Sequence, residues 1–290
     1  MISRQGSVSP SLIYDTGRMR LWAGFLLAPF VVGCASHRAG VENLNSVLWV
    51  QTSGEYEAIA RQSYVLAGQM LERALADPGW TAALEQGASY RDLPPAVILD
   101  VDETVLDNSA YQAGLVLDGK VYDSDSWNEW CRQVRASAIP GAVGFTRRAR
   151  DEGVAVFYVT NRREIVEGAT RENLTKLGFP LESPGDSDRV WTRGEHGDED
   201  ADKSERRRKI ATQYRVVLLV GDNLDDFLSL GRAPAEERRL AVDDHASYWG
   251  TRWIVLPNPQ YGSWEGAVLG FNYGLSEKDK LDVKKKALSP

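Results

Sequence analysis

The chain has 290 residues, 34 of them Lys or Arg and 41 Asp or Glu, for a formal net charge of −7, and 43% of them are hydrophobic. That length suits one large domain or a domain with a cap, and the apolar content is that of an ordinary globular core. The acidic balance argues against a nucleic-acid polymer as partner, since such binders show a basic face.

The amino-terminal region reads as a targeting segment. Arg18 and Arg20 precede an apolar stretch over residues 21–32, too short to span a bilayer and right for a signal peptide. It ends in Val31-Val32-Gly33-Cys34, which resembles a bacterial lipobox with Cys34 as the lipid-bearing residue. The expectation is a signal peptide over 1–33, with Met19 an alternative start, and a lipidated tether over 34–45. The chain is then lipid-anchored in the bacterial cell envelope. The outer membrane is favoured, because Ala35 stands where an aspartate would mark inner-membrane retention. Cys131 is the one other cysteine, so the location rests on the signal and not on a disulfide.

Beyond the tether, residues 47–88 carry Tyr56, Ile59, Tyr64, Ala67, Met70, Leu71 and Leu75 near helical spacing, with a break at Asp77-Pro78-Gly79. A buried strand is predicted over 96–99, where Ala-Val-Ile-Leu runs into Asp100-Val101-Asp102. Further strands are predicted over 154–159, ending in Thr160-Asn161-Arg162, and over 216–220, ending in Gly221-Asp222-Asn223. A fourth covers 253–256. Helical stretches lie between, over 142–152, 165–177 and 203–213. This alternation predicts an α/β fold with a doubly wound, Rossmann-like parallel sheet. Residues 194–202 read as a surface loop, and 276–290 as a charged, solvated or frayed tail.

Asp100 and Asp102 fall at the carboxyl end of a buried strand, where open α/β sheets place their ligands. An unpaired buried carboxylate is too costly to serve a core, so the pair points to a cation and an oxygen-rich anion. A helix cap needs only one carboxylate. Thr160 also suits a plain strand-end hydroxyl. Lys203 stands beside Arg206, Arg207, Arg208 and Lys209, which read as a solvated helix face. No zinc site is expected: His37, His196 and His245 are scattered and Cys131 is alone. His245, next to Asp243 and Asp244, reads as a surface loop residue. No Walker-type glycine loop occurs, so a nucleotide would be substrate and not energy source.

Asp100-Val101-Asp102-Glu103-Thr104, Thr160, Lys203 and the Asp222/Asp226 pair, in that order, resemble the motifs of the haloacid dehalogenase-like phosphohydrolases. The run 100–109, Thr160-Asn161-Arg162, Asp202-Lys203-Ser204, Gly221-Asp222-Asn223-Leu224-Asp225-Asp226-Phe227 and the segment 257–265 are similar to the class C acid phosphatases. These are bacterial lipoprotein 5′-nucleotidases with four essential aspartates, and the resemblance covers residues 45–275. It implies a haloacid dehalogenase-like core over 46–275 with a smaller, mainly helical cap that includes residues 107–140. Asp100 is then the nucleophile and Asp102 the general acid and base. Thr160, Asn161 and Lys203 would hold the phosphate. Mg²⁺ would be held by Asp100, Asp222 and the backbone carbonyl of Asp102, with Asp226 supporting that shell or holding Lys203. Asp226 is preferred to Asp225 because the family spaces this pair i, i+4.

Trp127 and Tyr261 match positions that stack on the substrate's ring, and Trp130, one helical turn from Trp127, is expected to pack inward. The expected function is a Mg²⁺-dependent phosphomonoesterase acting on 5′-nucleotides and related aromatic phosphates through an aspartyl-phosphate. A homodimer is implied as well. The alternatives are a broad-specificity or sugar-phosphate phosphatase of the same superfamily, and a non-catalytic surface lipoprotein that keeps the fold. The second is disfavoured because a decayed site loses its nucleophile first, and Asp100 is present.

Overall fold

The structure is a computed structural model and describes residues 41–181, 188–195 and 201–290. The signal segment, Cys34, residues 35–40, His196 and most of the loop expected over 194–202 lie outside the described residues. Among the described residues no helix is long and apolar enough to cross a membrane.

Two helices, α1 (Leu44–Thr52) and α2 (Gly54–Ala76), lead into the central strand β1 (Pro95–Leu99). The segment expected to form the cap follows as β2 (Leu106–Asp107), α3 (Ser109–Asp118), α4 (Ser124–Arg132) and β3 (Ser137–Ala138). The chain returns through α5 (Ala142–Asp151), β4 (Ala155–Arg163), α6 (Glu167–Leu177) and β5 (Val190–Arg193). It then runs α7 (Ser204–Ala211), β6 (Arg215–Gly221), α8 (Ala235–Asp244), β7 (Trp253–Val255), α9 (Ser263–Val268) and α10 (Glu277–Lys286).

The main sheet has the order β5-β4-β1-β6-β7, with every neighbouring pair parallel. After β1 the chain builds outward on one side through β4 and β5, then crosses to build β6 and β7 on the other. The strand order therefore reverses at β1, and a crevice opens beyond its carboxyl end. This is the doubly wound α/β fold. The small antiparallel pair β2–β3 joins the two ends of that segment.

The central strands are buried on both faces, which explains their unbroken apolar runs. In β1, Val97 and Leu99 face one core layer while Ala96 and Ile98 face the other. β6 breaks this alternation. Ala96 pairs with Val216 and Val97 with Leu218, so Val217 bulges out of register and shifts the side-chain phase by one. The first layer holds the apolar stripe of α2, with Tyr56, Ala60, Tyr64, Ala67, Met70, Leu71 and Ala74 buried. The second centres on Trp253, stacked with Phe227, Tyr248 and Trp249.

Four expectations need correction. The helical stretch expected over 47–88 is two helices, α1 and α2, and residues 77–94 form no helix. Ser53 is extended and caps α2 by accepting from the Tyr56 amide at 3.1 Å, so a cap residue ahead of glycine restarts the helix there. Residues 41–45 are already helical and not tether. The tail is helix α10, capped by Ser276, with acids in its first turn and lysines in its last, as the helix dipole favours. His245 is not a free surface residue. Its ring lies 5.2 Å from that of Trp253, and its Nδ1 pairs with the Ala241 carbonyl at 2.9 Å. The edge strand β5 was not anticipated, because four residues of which two are buried are too few to show a period. Trp130 packs inward as expected, donating from Nε1 to Asn108 Oδ1 at 2.8 Å.

Candidate active site

Asp100 follows β1 directly. Its amide still donates to the Val220 carbonyl at 2.9 Å, extending the ladder with β6. The chain then reverses, as the amides of Val105 and Leu106 both donate to the Val101 carbonyl, at 2.9 and 2.8 Å. Glu103 in this turn has φ 58°, an uncommon value for a side-chain-bearing residue. Its buried carboxylate braces the turn by accepting from the Asn108 amide at 2.8 Å. Burial, with Asp102 and Asp222 nearby, holds that carboxyl well above the usual range.

The turn delivers Asp102 to β4. Arg162 donates to its Oδ1 from Nε at 2.9 Å and Nη2 at 2.8 Å, and Asn108 Nδ2 adds a bond of 2.9 Å. Arg162 is only 2% exposed, so this ion pair is desolvated on the arginine side and fixes the carboxylate in one orientation. The Thr160 hydroxyl accepts from the Arg162 amide at 3.0 Å and reaches Asp102 Oδ2 at 3.4 Å. Thr160 is fully buried and sits beneath the cleft instead of lining it. Asn161 does line the cleft. Its amide donates to the Ala201 carbonyl at 2.9 Å and accepts from Arg206 at 2.8 Å.

β6 supplies the other acids. Gly221 is required, because a Cβ there would run into the Asp226 side chain. The turn over 224–226 is closed reciprocally: Asn223 Oδ1 accepts from the Asp225 amide at 3.3 Å, and Asp226 Oδ2 accepts from the Asn223 amide at 3.0 Å. Asp226 Oδ1 is left to accept from Lys203 Nζ at 2.7 Å, while Lys203 also donates to Asp100. Asp222 accepts from Asn258 Nδ2 at 2.8 Å and Thr104 Oγ1 at 3.3 Å. Asp225 points elsewhere, to Arg238 and Ser263, so of the two it is Asp226 that meets Lys203.

Carboxylate oxygens of Asp100, Asp222 and Asp226 lie within 4.8 Å of one another. Burial pushes Asp100 up to about 7, against the pull of Lys203 and with the help of Asp226 and Asp102. Asp222 is held well above its ordinary value by burial, then by Asp226 and Asp100. Burial alone would lower Lys203, but Asp100 and Asp226 hold its ammonium above the ordinary range. Such a crowd of oxygen donors fits a hard divalent cation. A second acidic trio, Glu167, Asp188 and Glu195, already holds Arg171 through Glu167 and Asp188 and does not line the cleft.

The basic run of α7 is only in part a solvated face: Arg208 is exposed, whereas its two predecessors are not. Arg206 and Arg207 are 0% and 1% exposed. Arg206 donates to the Thr160 carbonyl at 2.6 Å, and Arg207 to the Asp226 carbonyl at 3.0 Å and to Glu85 at 2.7 Å. The two arginines clamp the ends of β4 and β6. Sequence reasoning missed them, and missed Arg162, Asn108 and Asn258. For Arg162 a signal existed, since it lies two residues beyond Thr160 in a strand and so shares its face.

Above this floor the cleft has a volume of about 1020 Å³. Trp127 and Tyr261, both expected to meet the substrate's ring, line it from α4 and from the loop after β7. Trp127 stands edge-on to Tyr111 with centroids 5.1 Å apart, and the Arg162 guanidinium lies 5.6 Å from its ring. Glu277, Lys280 and Lys284 bring α10 to the rim. Lys284 bridges Glu42 at 2.8 Å and Glu265 at 2.7 Å.

Comparison with known proteins agrees with this geometry. The family model for acid phosphatases of the HAD superfamily, subfamily IIIB, matches residues 30–264. Acid phosphatase 1 of Solanum lycopersicum is 27% identical over 235 residues, covering 79% of this chain and 82% of its own. The class C acid phosphatase of Bacillus anthracis aligns with a TM-score of 0.76 at 32% identity, over 87% of this chain and 98% of that one. Its tungstate-bound structure gives 0.77 at 31%, over 87% and 99%. With its aspartates and Lys203 gathered at the switch point of the sheet, this chain belongs to the acid phosphatases of HAD subfamily IIIB and is a phosphomonoesterase.

Proposed function

We propose that the enzyme hydrolyses 5′-nucleotides and related aromatic phosphates with Mg²⁺, through an aspartyl-phosphate on Asp100. The observation that carries this reading is the joining of two parts in one cleft. Asp100 and Lys203 meet at its floor, and Trp127 and Tyr261 stand in its walls. The tungstate bound by the Bacillus anthracis relative, a tetrahedral oxyanion like phosphate, supports an oxyanion seat above this floor.

Asp100 attacks phosphorus as the bond to the leaving oxygen breaks, and splitting a slow hydrolysis into two displacements lowers each barrier. Asp102, held in place by Arg162 and Asn108, gives that oxygen its proton. It then takes a proton from the water that attacks the aspartyl-phosphate. Lys203 stabilises the charge of the phosphoryl oxygens. Thr160 and Asn161 fix the end of β4 beside it. Asp100, Asp222 and the Asp102 carbonyl would hold Mg²⁺, with Asp226 behind them, and the cation supplies the charge that lets an anionic substrate approach these carboxylates. Flat aromatic walls accept many rings, since stacking is tolerant of base identity.

The run ending in Cys34 supports a lipid anchor in the bacterial outer membrane, and the family resemblance supports a homodimer. Phosphate release from 5′- and 3′-nucleotides and sugar phosphates, with and without Mg²⁺, tests the central reading. Mg²⁺-dependent turnover of 5′-nucleotides supports it. Turnover confined to sugar phosphates would keep the phosphatase and discard the ring pocket.

A further inference from the structure

Gln260 stands out among the cleft-lining residues. It is 4% exposed, and neither its side-chain oxygen nor its nitrogen has a hydrogen-bond partner. The hydroxyl of the next residue, Tyr261, is likewise buried and unpaired. Both residues line the cleft. Buried polar groups are otherwise paired in folded proteins, and an unmet carboxamide is costly.

Its backbone, by contrast, is firmly set. The Gln260 amide donates to Asn258 Oδ1 at 2.9 Å, and Asn258 in turn donates to Asp222 at 2.8 Å. The carboxamide is thus carried on a segment tied to the aspartate floor, beside the ring expected to stack on the substrate.

We infer that Gln260 is a specificity-determining residue that reads the polar edge of the substrate's ring. This rests on the nucleotide reading above. A carboxamide offers one acceptor and two donors, and it matches a ring edge that sets a donor next to an acceptor, as adenine does through its exocyclic amine and ring nitrogen. Turned toward the cleft that Gln260 lines, the carboxamide would meet the edge of a ring seated on Tyr261. The site then stacks tolerantly but prefers rings with an amide-like edge over bare ones, because a bare ring leaves the carboxamide unpaired.

The test compares wild type with Gln260→Leu on three substrates: adenosine 5′-monophosphate, purine riboside 5′-monophosphate, which lacks the exocyclic amine, and phenyl phosphate. The expected result is a fall in kcat/KM of about ten-fold on the adenine substrate, carried by KM. The other two substrates change by less than about two-fold, so the preference for adenine disappears. The variant also melts higher than wild type, since it removes an unpaired buried amide. Gln260→Met, measured alongside, repeats the pattern if Leu packs badly. An unchanged adenine preference overturns the inference. An equal loss on both nucleotides with phenyl phosphate spared assigns the group to the sugar and overturns edge reading. A uniform loss on all three, or a lower melting temperature in both variants, makes Gln260 structural and overturns it too. Wild-type turnover of phenyl phosphate without any nucleotide turnover would instead remove the nucleotide reading itself.

Discussion

The floor of the cleft and its mouth are built on different terms. On the floor every aspartate is tied: Asp102 to Arg162 and Asn108, Asp222 to Asn258 and Thr104, Asp226 and Asp100 to Lys203. The mouth is looser. α10 buries no residue, Trp264 and Tyr273 are 49% and 64% exposed, and Gln260 has unmet polar atoms. A floor set in advance spends no reorganisation energy at the moment of reaction, and under the proposed function a loose mouth would admit rings of different shape. Under the proposed function, chemistry and substrate choice are thus carried by separate parts, the first by strand ends and the second by segments added around them.

The comparison breaks most visibly at Asp100. Asp100→Asn should cut phosphate release by about 10⁴-fold or more while leaving the fold intact, because an amide cannot form the acyl-phosphate. Residual activity near wild type would move the nucleophile elsewhere. Next is Arg162→Ala, which strands Asp102 without its buried partner and should cost about 3–5 kcal/mol in denaturant unfolding. A loss below about 1 kcal/mol would mean the floor is less rigid than its bonds suggest.

Metal addition sharpens the electrostatic side. Asp100 has its pKa raised from 3.8 to about 7, so its contribution to stability is present below 3.8 and lost as the pH rises through 7. Asp222 is raised in the same direction. A cation needs both ionised. At a hundred times its dissociation constant, Mg²⁺ should stabilise by about 2.7 kcal/mol at pH 8. At pH 5 the gain should be markedly smaller. Thermal melts at the two pH values give the difference, and an equal gain would detach the cation from these carboxylates.

The mouth should respond more mildly. Trp127→Ala should weaken nucleotide binding by about 1–3 kcal/mol, read as KM, with little change for a phosphate ester that has no ring. Lys284→Ala removes a partly exposed clasp and should cost under about 1 kcal/mol. Its trace is faster hydrogen exchange over α10 without loss of turnover on small substrates.

Much of the floor was legible in the sequence because buried parallel strands announce themselves as apolar runs, and polar residues at their ends stand out. Asp100, Asp102 and Asp222 stand out this way, whereas Lys203 and the choice of Asp226 over Asp225 rest on the family resemblance and not on any strand-end pattern. The ties were not legible. Arg206 and Arg207 look like any basic helix face until α7 is laid against β4 and β6, and Arg162 hides inside a strand that outruns its apolar part. Asn258 reaches Asp222 across 36 positions, and no local pattern encodes such a contact. The same limit applied to α10, whose acids and lysines read as solvent-facing although one lysine closes an ion pair with Glu42.

That ion pair joins positions 242 residues apart, and Glu42 and Lys284 both line the cleft. The two ends of the described chain thus meet at the doorway, not behind the sheet. A purification tag or fusion partner attached just before Glu42 or just after Lys286 would stand in the path of arriving substrate. Kinetic constants from tagged preparations should therefore be read against a tag-free enzyme, above all for bulky substrates.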